Sequence, residues 1–198
     1  MKASKKCYDL IRKFEGCYLT AYKCPSGILT IGYGHTIGVK QGQTITKSQA
    51  EKYLKNDIEK FEKVVTKYYS KYKWTQNEFD ALVSFAFNVG NIDGLTNNGK
   101  RSKNEIVNYI NKYVHDNNGK ILDGLVKRRN DEKNLFLSKS YIVTAKSGLN
   151  VRESPNKNSK ILTTLQYNSE ISKIDEWSYI DTGKVKGWVS SQYIKGVR

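Results

Sequence analysis

The sequence predicts an α+β protein in which a unit with a small β-hairpin lobe and a helical lobe precedes a small all-β barrel. Three observations lead to this fold class. Apolar residues recur at helical intervals behind capping residues through most of the first 138 positions. Two strand-like runs around a Pro-Ser-Gly turn interrupt this pattern near its start. From Tyr141 onward the helical period gives way to short strand-like runs separated by Gly, Asn and Pro.

The first predicted helix ends in a glutamate. Ser4 is a favourable N-cap, and Cys7, Leu10, Ile11 and Phe14 follow at helical spacing. The glycine at position 16 is a typical helix terminator, which puts the preceding glutamate in the last turn.

A hairpin is predicted directly after this helix. The strand-like run 19–22 leads to the turn at 25–27, and the run 28–33 leads back. Cys24 and Thr30 therefore fall on opposite arms of the hairpin, where both can face one substrate.

Three further helices are predicted from capping boxes, in which a Ser or Thr and a Glu or Gln three positions later cap each other's backbone N–H groups. The pairs are Thr46 with Gln49, Thr75 with Glu78, and Ser102 with Glu105. The second of these helices is apolar around most of its circumference, so we expect it at the centre of the helical lobe. The last predicted helix covers residues 124–136.

The C-terminal part is predicted to be all β. Its strand-like runs are 141–144, 149–152, 161–165, 170–174, 177–181 and 187–189. Short strands with turn residues between them are typical of a small barrel. We therefore predict one domain over residues 1–138, a short linker at 139–141 and a second domain over 142–198.

Composition restricts the classes of partner and cofactor. The formal charge is +15; nine basic and five acidic residues from Tyr141 onward give +4, which leaves +11 for residues 1–140. This positive excess could attract a polyanion, of which an anionic polymer of a bacterial wall is one example, or it could simply keep the protein soluble. No nucleic-acid-binding motif is present, so we expect no nucleic-acid partner. The three cysteines lack C-x-x-C spacing and predict neither a disulfide framework nor a zinc site; no metal and no organic cofactor is expected.

The spacing around the first helix resembles a known catalytic signature. A glutamate, eight residues, an Asp or Cys, five residues and a Thr, followed by an IGYGHT-like segment, is similar to phage-type lysozymes (endolysins) of glycoside hydrolase family 24. These positions are Glu15, Cys24, Thr30 and residues 31–36. The similarity continues through 45–51, 79–90 and 124–129 and covers roughly residues 1–138.

The resemblance implies a muramidase that hydrolyses the β-1,4 bond between N-acetylmuramic acid and N-acetylglucosamine in peptidoglycan with inversion. Glu15 would protonate the leaving oxygen, and Cys24 and Thr30 would hold the attacking water on the opposite face. Most family members carry Asp at the position of Cys24. A free thiol has a pKa of about 8.5 and is a poorer acceptor, so base, nucleophile and water-positioning group all remain open as roles for Cys24.

Other roles also follow from the resemblance. It implies substrate contacts at Phe87, Asn88 and Asn108. It also implies a structural ion pair between His35 and Asp57 that ties the hairpin lobe to the long second helix.

A second resemblance covers the C-terminal part. Residues 148–155 and 187–194 are similar to the bacterial SH3-like domain, which implies binding to the bacterial cell wall. The aromatic residues that we expect to line a ligand groove are Tyr167, Trp177, Tyr179, Trp188 and Tyr193. The protein is expected to act as a monomer.

Two other functions stay open on the sequence. The first is a Cys-His peptidoglycan peptidase that would use Cys24 with His35 or His115, although such enzymes place the cysteine at the start of a helix. The second is a wall-binding protein without catalysis.

The start of the chain predicts where the protein accumulates. Residues 1–6 lead directly into the first helix without a signal-peptide-like apolar stretch, and no run is long enough to span a membrane. We therefore expect the protein to stay in the bacterial cytoplasm until a holin-type lesion releases it to the wall.

Overall fold

The computed structural model describes residues 1–24, 26–116, 118–173, 179–189 and 194–196. The chain divides into two compact units, Met1–Leu137 and Ser138–Arg198. The first unit is mixed helix and sheet and the second is all β, so the predicted α+β fold class is confirmed.

The first unit consists of one hairpin and a set of helices. Its elements are α1 (Lys5–Glu15), β1 (Tyr18–Lys23), β2 (Leu29–Gly32), α2 (Lys47–Thr66), α3 (Tyr69–Tyr72), α4 (Gln76–Val89), α5 (Asp93–Thr96), α6 (Lys103–Tyr109), a 3₁₀ turn (Ile110–Lys112) and α7 (Asp123–Leu137). The N-cap of α1 and all three predicted capping boxes are present. The two four-residue helices were not predicted, because one helical turn is too short to show a period.

Helix α4 lies at the centre of this unit, as its all-round apolar sequence predicts. Every residue from Phe79 to Ala86 is buried, including the polar Asp80 and Ser84. Helices α1, α2 and α7 all contact α4. The central position of α4 explains why its polar residues need internal partners: buried polar groups are costly unless they are hydrogen-bonded.

The hairpin contains an irregularity that shapes the region near α1. Tyr18 pairs with Gly32 and Tyr22 pairs with Thr30, so four steps along β1 oppose only two along β2. The extra residues form a bulge, which bends the strand and shortens its span.

The second unit is an antiparallel sheet within the described residues. Its strands are β3 (Lys139–Val143), β4 (Leu149–Arg152), β5 (Ile161–Leu165), β6 (Glu170–Lys173), β7 (Tyr179–Asp181), β8 (Lys186–Trp188) and β9 (Ile194–Gly196), in the order β5-β4-β8-β7-β6-β3-β9. Its core is formed by Val143, Leu149, Val151, Ile171, Ile180 and Val189. The start of the predicted strand 177–181 lies outside the described residues.

The residues expected to form a linker, 139–141, belong to strand β3. They pair with residues 171–173 of β6, so the backbone hydrogen bonds of the sheet fix this segment. Among the described parts of the chain, no helix combines the length and apolarity that crossing a bilayer requires.

Candidate active site

Glu15 is the last residue of α1, and its carboxylate is bound by a residue of α7, the last helix of the first unit. Gly16 follows with φ 66° and caps the helix through its N–H, which donates to the carbonyl of Arg12. Arg128 Nη1 donates to Glu15 Oε1 at 2.6 Å. The guanidinium side chain is 4 % exposed and the carboxylate side chain 22 %, so a buried cation holds a partly accessible acid.

Arg128 is itself held by a buried acid. Its Nε lies 3.2 Å from Glu132 Oε1, and its Nη2 donates to the carbonyl of Ser84. Glu132 is fully buried and also pairs with Arg129 Nε at 2.8 Å. Burial raises the pKa of Glu132, against the pull of the two guanidinium groups, and burial lowers the pKa of Arg129. We call these four residues, Ser84, Arg128, Arg129 and Glu132, the buried ion cluster.

Sequence reasoning did not identify the buried ion cluster. Arg128 and Glu132 are four apart on α7, and Arg129 and Glu132 are three apart, which is the spacing of ordinary surface ion pairs. The segment therefore looks solvated in the sequence. Its short run of adjacent arginines followed by an acid was the one signal available.

The second oxygen of Glu15 faces a glycine. A Cβ atom at Gly34 would lie 3.5 Å from Glu15 Oε2 and 3.8 Å from Cε1 of Phe87. Gly34 has φ +95°, a conformation that side-chain-bearing residues rarely adopt. The structure thus brings Phe87 next to the acid, and its half-buried ring packs against Phe61. A side chain at position 34 would therefore come into van der Waals contact with Oε2.

Cys24 and Thr30 meet at the end of the hairpin. Cys24 N–H donates to the carbonyl of Ile28 at 3.0 Å, and the hydroxyl of Thr30 donates to the same carbonyl at 3.0 Å. Hydrogen bonding by the backbone of Ile28 lowers the pKa of the Cys24 thiol against the opposing effect of desolvation, and the Ser26 backbone and the Thr30 side chain act in the same direction as Ile28. Cys24 does not start a helix, as a papain-like cysteine would.

The two predicted asparagines differ in their surroundings. Asn88 is exposed at the end of α4, and its Oδ1 accepts a hydrogen bond from Arg129 Nη2 at 3.0 Å. This contact links Asn88 to the buried ion cluster. Asn108 is exposed on α6, and no hydrogen bond joins it to these groups among the described residues.

His35 bridges the hairpin lobe and α2. Its Nδ1 lies 2.7 Å from Asp57 Oδ2, its Nε2 lies 2.9 Å from the carbonyl of Ile37, and its ring stacks on Tyr53. Asp57 also accepts from Lys60 at 2.7 Å. Both ring nitrogens of His35 are thus engaged by oxygen acceptors, which leaves neither free to activate a thiol.

The predicted wall-ligand residues are only partly described. Tyr179 and Trp188 are opposite each other on β7 and β8, with ring centroids 5.1 Å apart. Tyr167 is 56 % exposed in the loop between β5 and β6. Trp177 and Tyr193 lie outside the described residues.

Family models match parts of both units, and relatives and solved structures match about 69 % of the chain. A family model described as phage lysozyme matches residues 12–132, and one described as bacterial SH3 domain matches residues 147–195. The endolysin of Lactococcus phage c2 is 44 % identical over 138 residues, which cover 69 % of this chain and 60 % of that protein.

Two solved structures resemble the first unit. The muramidase domain of SpmX from Asticaccaulis excentricus has a TM-score of 0.62 and 34 % identity, covering 69 % of this chain and 97 % of that one. An endolysin from Escherichia coli O157:H7 phage FAHEc1 has a TM-score of 0.61 and 39 % identity, covering 69 % and 94 %.

The extent of these matches differs between relatives. The chain spans 60 % of the length of the Lactococcus phage relative. The phage lysozyme match takes in more than half of the chain and includes Glu15, Cys24, Thr30 and Arg128. With this match and the shared fold, the chain belongs to the phage lysozyme family and carries a bacterial SH3 domain after its lysozyme domain.

Proposed function

We propose that this protein is a muramidase that hydrolyses the β-1,4 bond between N-acetylmuramic acid and N-acetylglucosamine in peptidoglycan. The observation that carries the proposal is the partly exposed carboxylate of Glu15, with Oε1 fixed by the buried Arg128 and Oε2 next to the backbone of Gly34. An oriented, partly accessible acid is what protonation of a glycosidic oxygen requires.

The reaction that we propose uses the two sides of the hairpin differently. Glu15 Oε2 gives its proton to the leaving glycosidic oxygen as the bond to the anomeric carbon breaks. Thr30 and Cys24 hold a water on the opposite face, and the Cys24 thiolate takes a proton from that water as its oxygen bonds to the anomeric carbon. Attack from the face opposite the leaving group inverts the anomeric configuration.

Two properties of the hairpin turn support the assignment of the water to Cys24 and Thr30. The hydrogen bonds that lower the pKa of the Cys24 thiol increase its thiolate fraction near neutral pH. The side chain of Thr30 is buried at the same turn and is both donor and acceptor.

The other proposed roles concern substrate and wall. Phe87 and Asn88 would contact the glycan next to Glu15, and Asn108 would contact it farther along the strand. The second unit would hold the enzyme on the wall through a ligand-binding site that includes the Tyr179–Trp188 ring pair. In this proposal the protein acts as a monomer on the cell wall after release through a holin-type lesion.

The decisive experiment is mass spectrometry of fragments released from purified Gram-positive peptidoglycan. The wild type should release glycan fragments with reducing-end muramic acid, Glu15→Gln should release none, and Asp9→Asn, an exposed acid on the same helix, should match the wild type. Proton NMR of the first product anomer tests inversion. New amino and carboxyl termini with intact glycan strands would make the protein a peptidase, and no release by the wild type would make it a binding protein.

A further inference from the structure

An exposed pair of tyrosines stands beside the catalytic acid on the hairpin, and neither ring has a role in the reaction described above. The rings of Tyr18 and Tyr22 lie with their centroids 4.6 Å apart. Tyr18 is 52 % exposed, whereas Tyr22 is half-buried. Tyr18 therefore presents an aromatic surface to solvent beside a second ring.

The bulge in β1 brings these two rings together. Four residues of a regular strand would separate them by about 13 Å. Because Tyr18 and Tyr22 oppose Gly32 and Thr30, which are only two positions apart on β2, that separation is roughly halved. The bulge therefore brings the two rings within contact distance, and Tyr22 stands directly opposite Thr30.

The pair lies along the path from the acid to the thiol. A Cβ atom on Gly16 would lie 3.5 Å from the ring of Tyr18, so this ring covers the residue that follows Glu15. Tyr22 pairs with Thr30 across the hairpin and stands two residues before Cys24. The exposed face of Tyr18 thus continues the surface on which the reacting sugar would sit.

We propose that Tyr18, backed by Tyr22, is a stacking platform for one pyranose ring of the glycan strand that Glu15 cleaves. A pyranose presents a flat patch of C–H groups on one face, and an aromatic ring offers a matching apolar surface with a polar rim. A saccharide unit of N-acetylated peptidoglycan strand is therefore the occupant. This inference rests on the proposed function, and Tyr18 acts as a positioning residue that does not touch the reacting atoms.

Binding can be measured without cleavage. In the Glu15→Gln background, titration calorimetry with a soluble, peptide-free hexasaccharide of peptidoglycan should give a Kd about five-fold higher for Tyr18→Ala. Tyr18→Phe should keep the affinity because it keeps the ring face. Tyr69→Ala, which removes an exposed tyrosine on α3, is the matched control and should leave the Kd unchanged.

Kinetics with the active enzyme give a second readout. Tyr18→Ala should raise KM about five-fold with kcat within two-fold of wild type, and Tyr18→Phe should restore KM. If Tyr18→Ala melts below the wild type, Tyr18→Leu replaces it as an apolar side chain without a flat face. An unchanged Kd and KM in the non-aromatic variant, or a Tyr18→Phe variant as weak as Tyr18→Ala, would overturn the platform.

The two proposals fail in different ways. If the wild type releases no muramic acid but Tyr18→Ala still weakens hexasaccharide binding, the hydrolase assignment fails and the platform stands. If the wild type cleaves normally and Tyr18→Ala changes neither Kd nor KM, the platform fails and the muramidase stands.

Discussion

The two oxygens of the Glu15 carboxylate have different surroundings, and this difference is the main feature of single residues in the candidate site. Oε1 is bound by Arg128, while Oε2 faces the bare backbone of Gly34. On the hairpin, Cys24 places a thiol at the same turn as the Thr30 hydroxyl. Hydrogen bonding by the backbone of Ile28 lowers the pKa of this thiol.

The pH dependence of the reaction should reveal the role of Cys24. If the thiolate is the base, activity falls as the pH drops through its pKa, which lies below that of a free thiol because of the hydrogen bonds it receives. Cys24→Asp should stay active and move this acid limb of kcat/KM to lower pH, because a carboxyl has a pKa of about 4. Cys17→Ser, which changes an exposed cysteine, should leave the profile in place. An identical acid limb in Cys24→Asp would exclude a titrating thiol.

Gly34 offers a test of the open carboxylate oxygen. Gly34→Ala puts a methyl group over Glu15 Oε2 and strains a backbone at φ +95°, so both stability and kcat/KM should fall. Gly42→Ala imposes similar strain at φ +75° with nothing within 4 Å, and is the matched control. Each variant should lose about 1–2 kcal/mol of unfolding free energy, as left-handed backbone costs a side-chain-bearing residue.

The two glycine variants should differ in activity although they lose similar stability. Only Gly34→Ala should reduce glycan cleavage at a temperature where both are folded. Equal activity in the two variants would mean that Oε2 is not the oxygen that serves the substrate.

The exposed and buried sides of helix α7 carry different ion pairs. The exposed side of this helix bears ordinary pairs such as Asp131 with Lys13, while the buried side bears the buried ion cluster. Through Arg128 the cluster reaches the acid on α1, and through Arg129 it reaches Asn88 at the end of α4. A single buried carboxylate, Glu132, thus supports contacts at three helices.

Removing that carboxylate should be costly. Glu132→Gln leaves the buried Arg129 without a carboxylate partner and Arg128 with Glu15 alone, and breaking a buried pair in this way costs about 3–5 kcal/mol. Asp131→Asn, the adjacent and partly exposed acid of the same helix, should cost at most about 1 kcal/mol. Urea unfolding followed by far-UV circular dichroism reads out this unit, because every described helix belongs to it. Equal midpoints for the two variants would show that the cluster contributes little.

At the scale of the whole molecule, the net charge and the proposed wall binding are distributed differently along the chain. Residues 1–140 carry a net charge of +11 and the remainder +4, so most of the basic excess lies in the first 140 residues. The SH3 domain contributes a small separate core and the Tyr179–Trp188 ring pair. Long-range attraction and specific wall recognition are therefore expected to be separable.

Salt should separate these two contributions. Adsorption to intact Gram-positive walls should weaken several-fold between low and high NaCl, because exposed charges are screened over about 10 Å at 0.1 M. Walls stripped of anionic polymers should show lower adsorption and a flatter salt dependence. A co-sedimentation assay measures both, and adsorption that ignores salt on both kinds of wall would remove the electrostatic contribution.

Local interactions let the sequence determine much of this protein. Ser4, Thr46, Thr75 and Ser102 mark helix starts because each cap acts within four residues of its partner. The change from a period of 3.6 to short strands marks the second domain for the same reason. The order of Glu15, Cys24 and Thr30 along a helix and a hairpin is likewise a local property of the chain, because all three lie within one short segment.

Only the tertiary structure decided the contacts between distant segments. Arg128 and Glu15 are 113 residues apart, and the pairing depends on how α7 packs against α4. The bulge in β1 is a register choice between two strands, and neither strand encodes it alone. The burial of Glu132 follows the same logic, since desolvation depends on what surrounds a side chain and not on its neighbours in sequence.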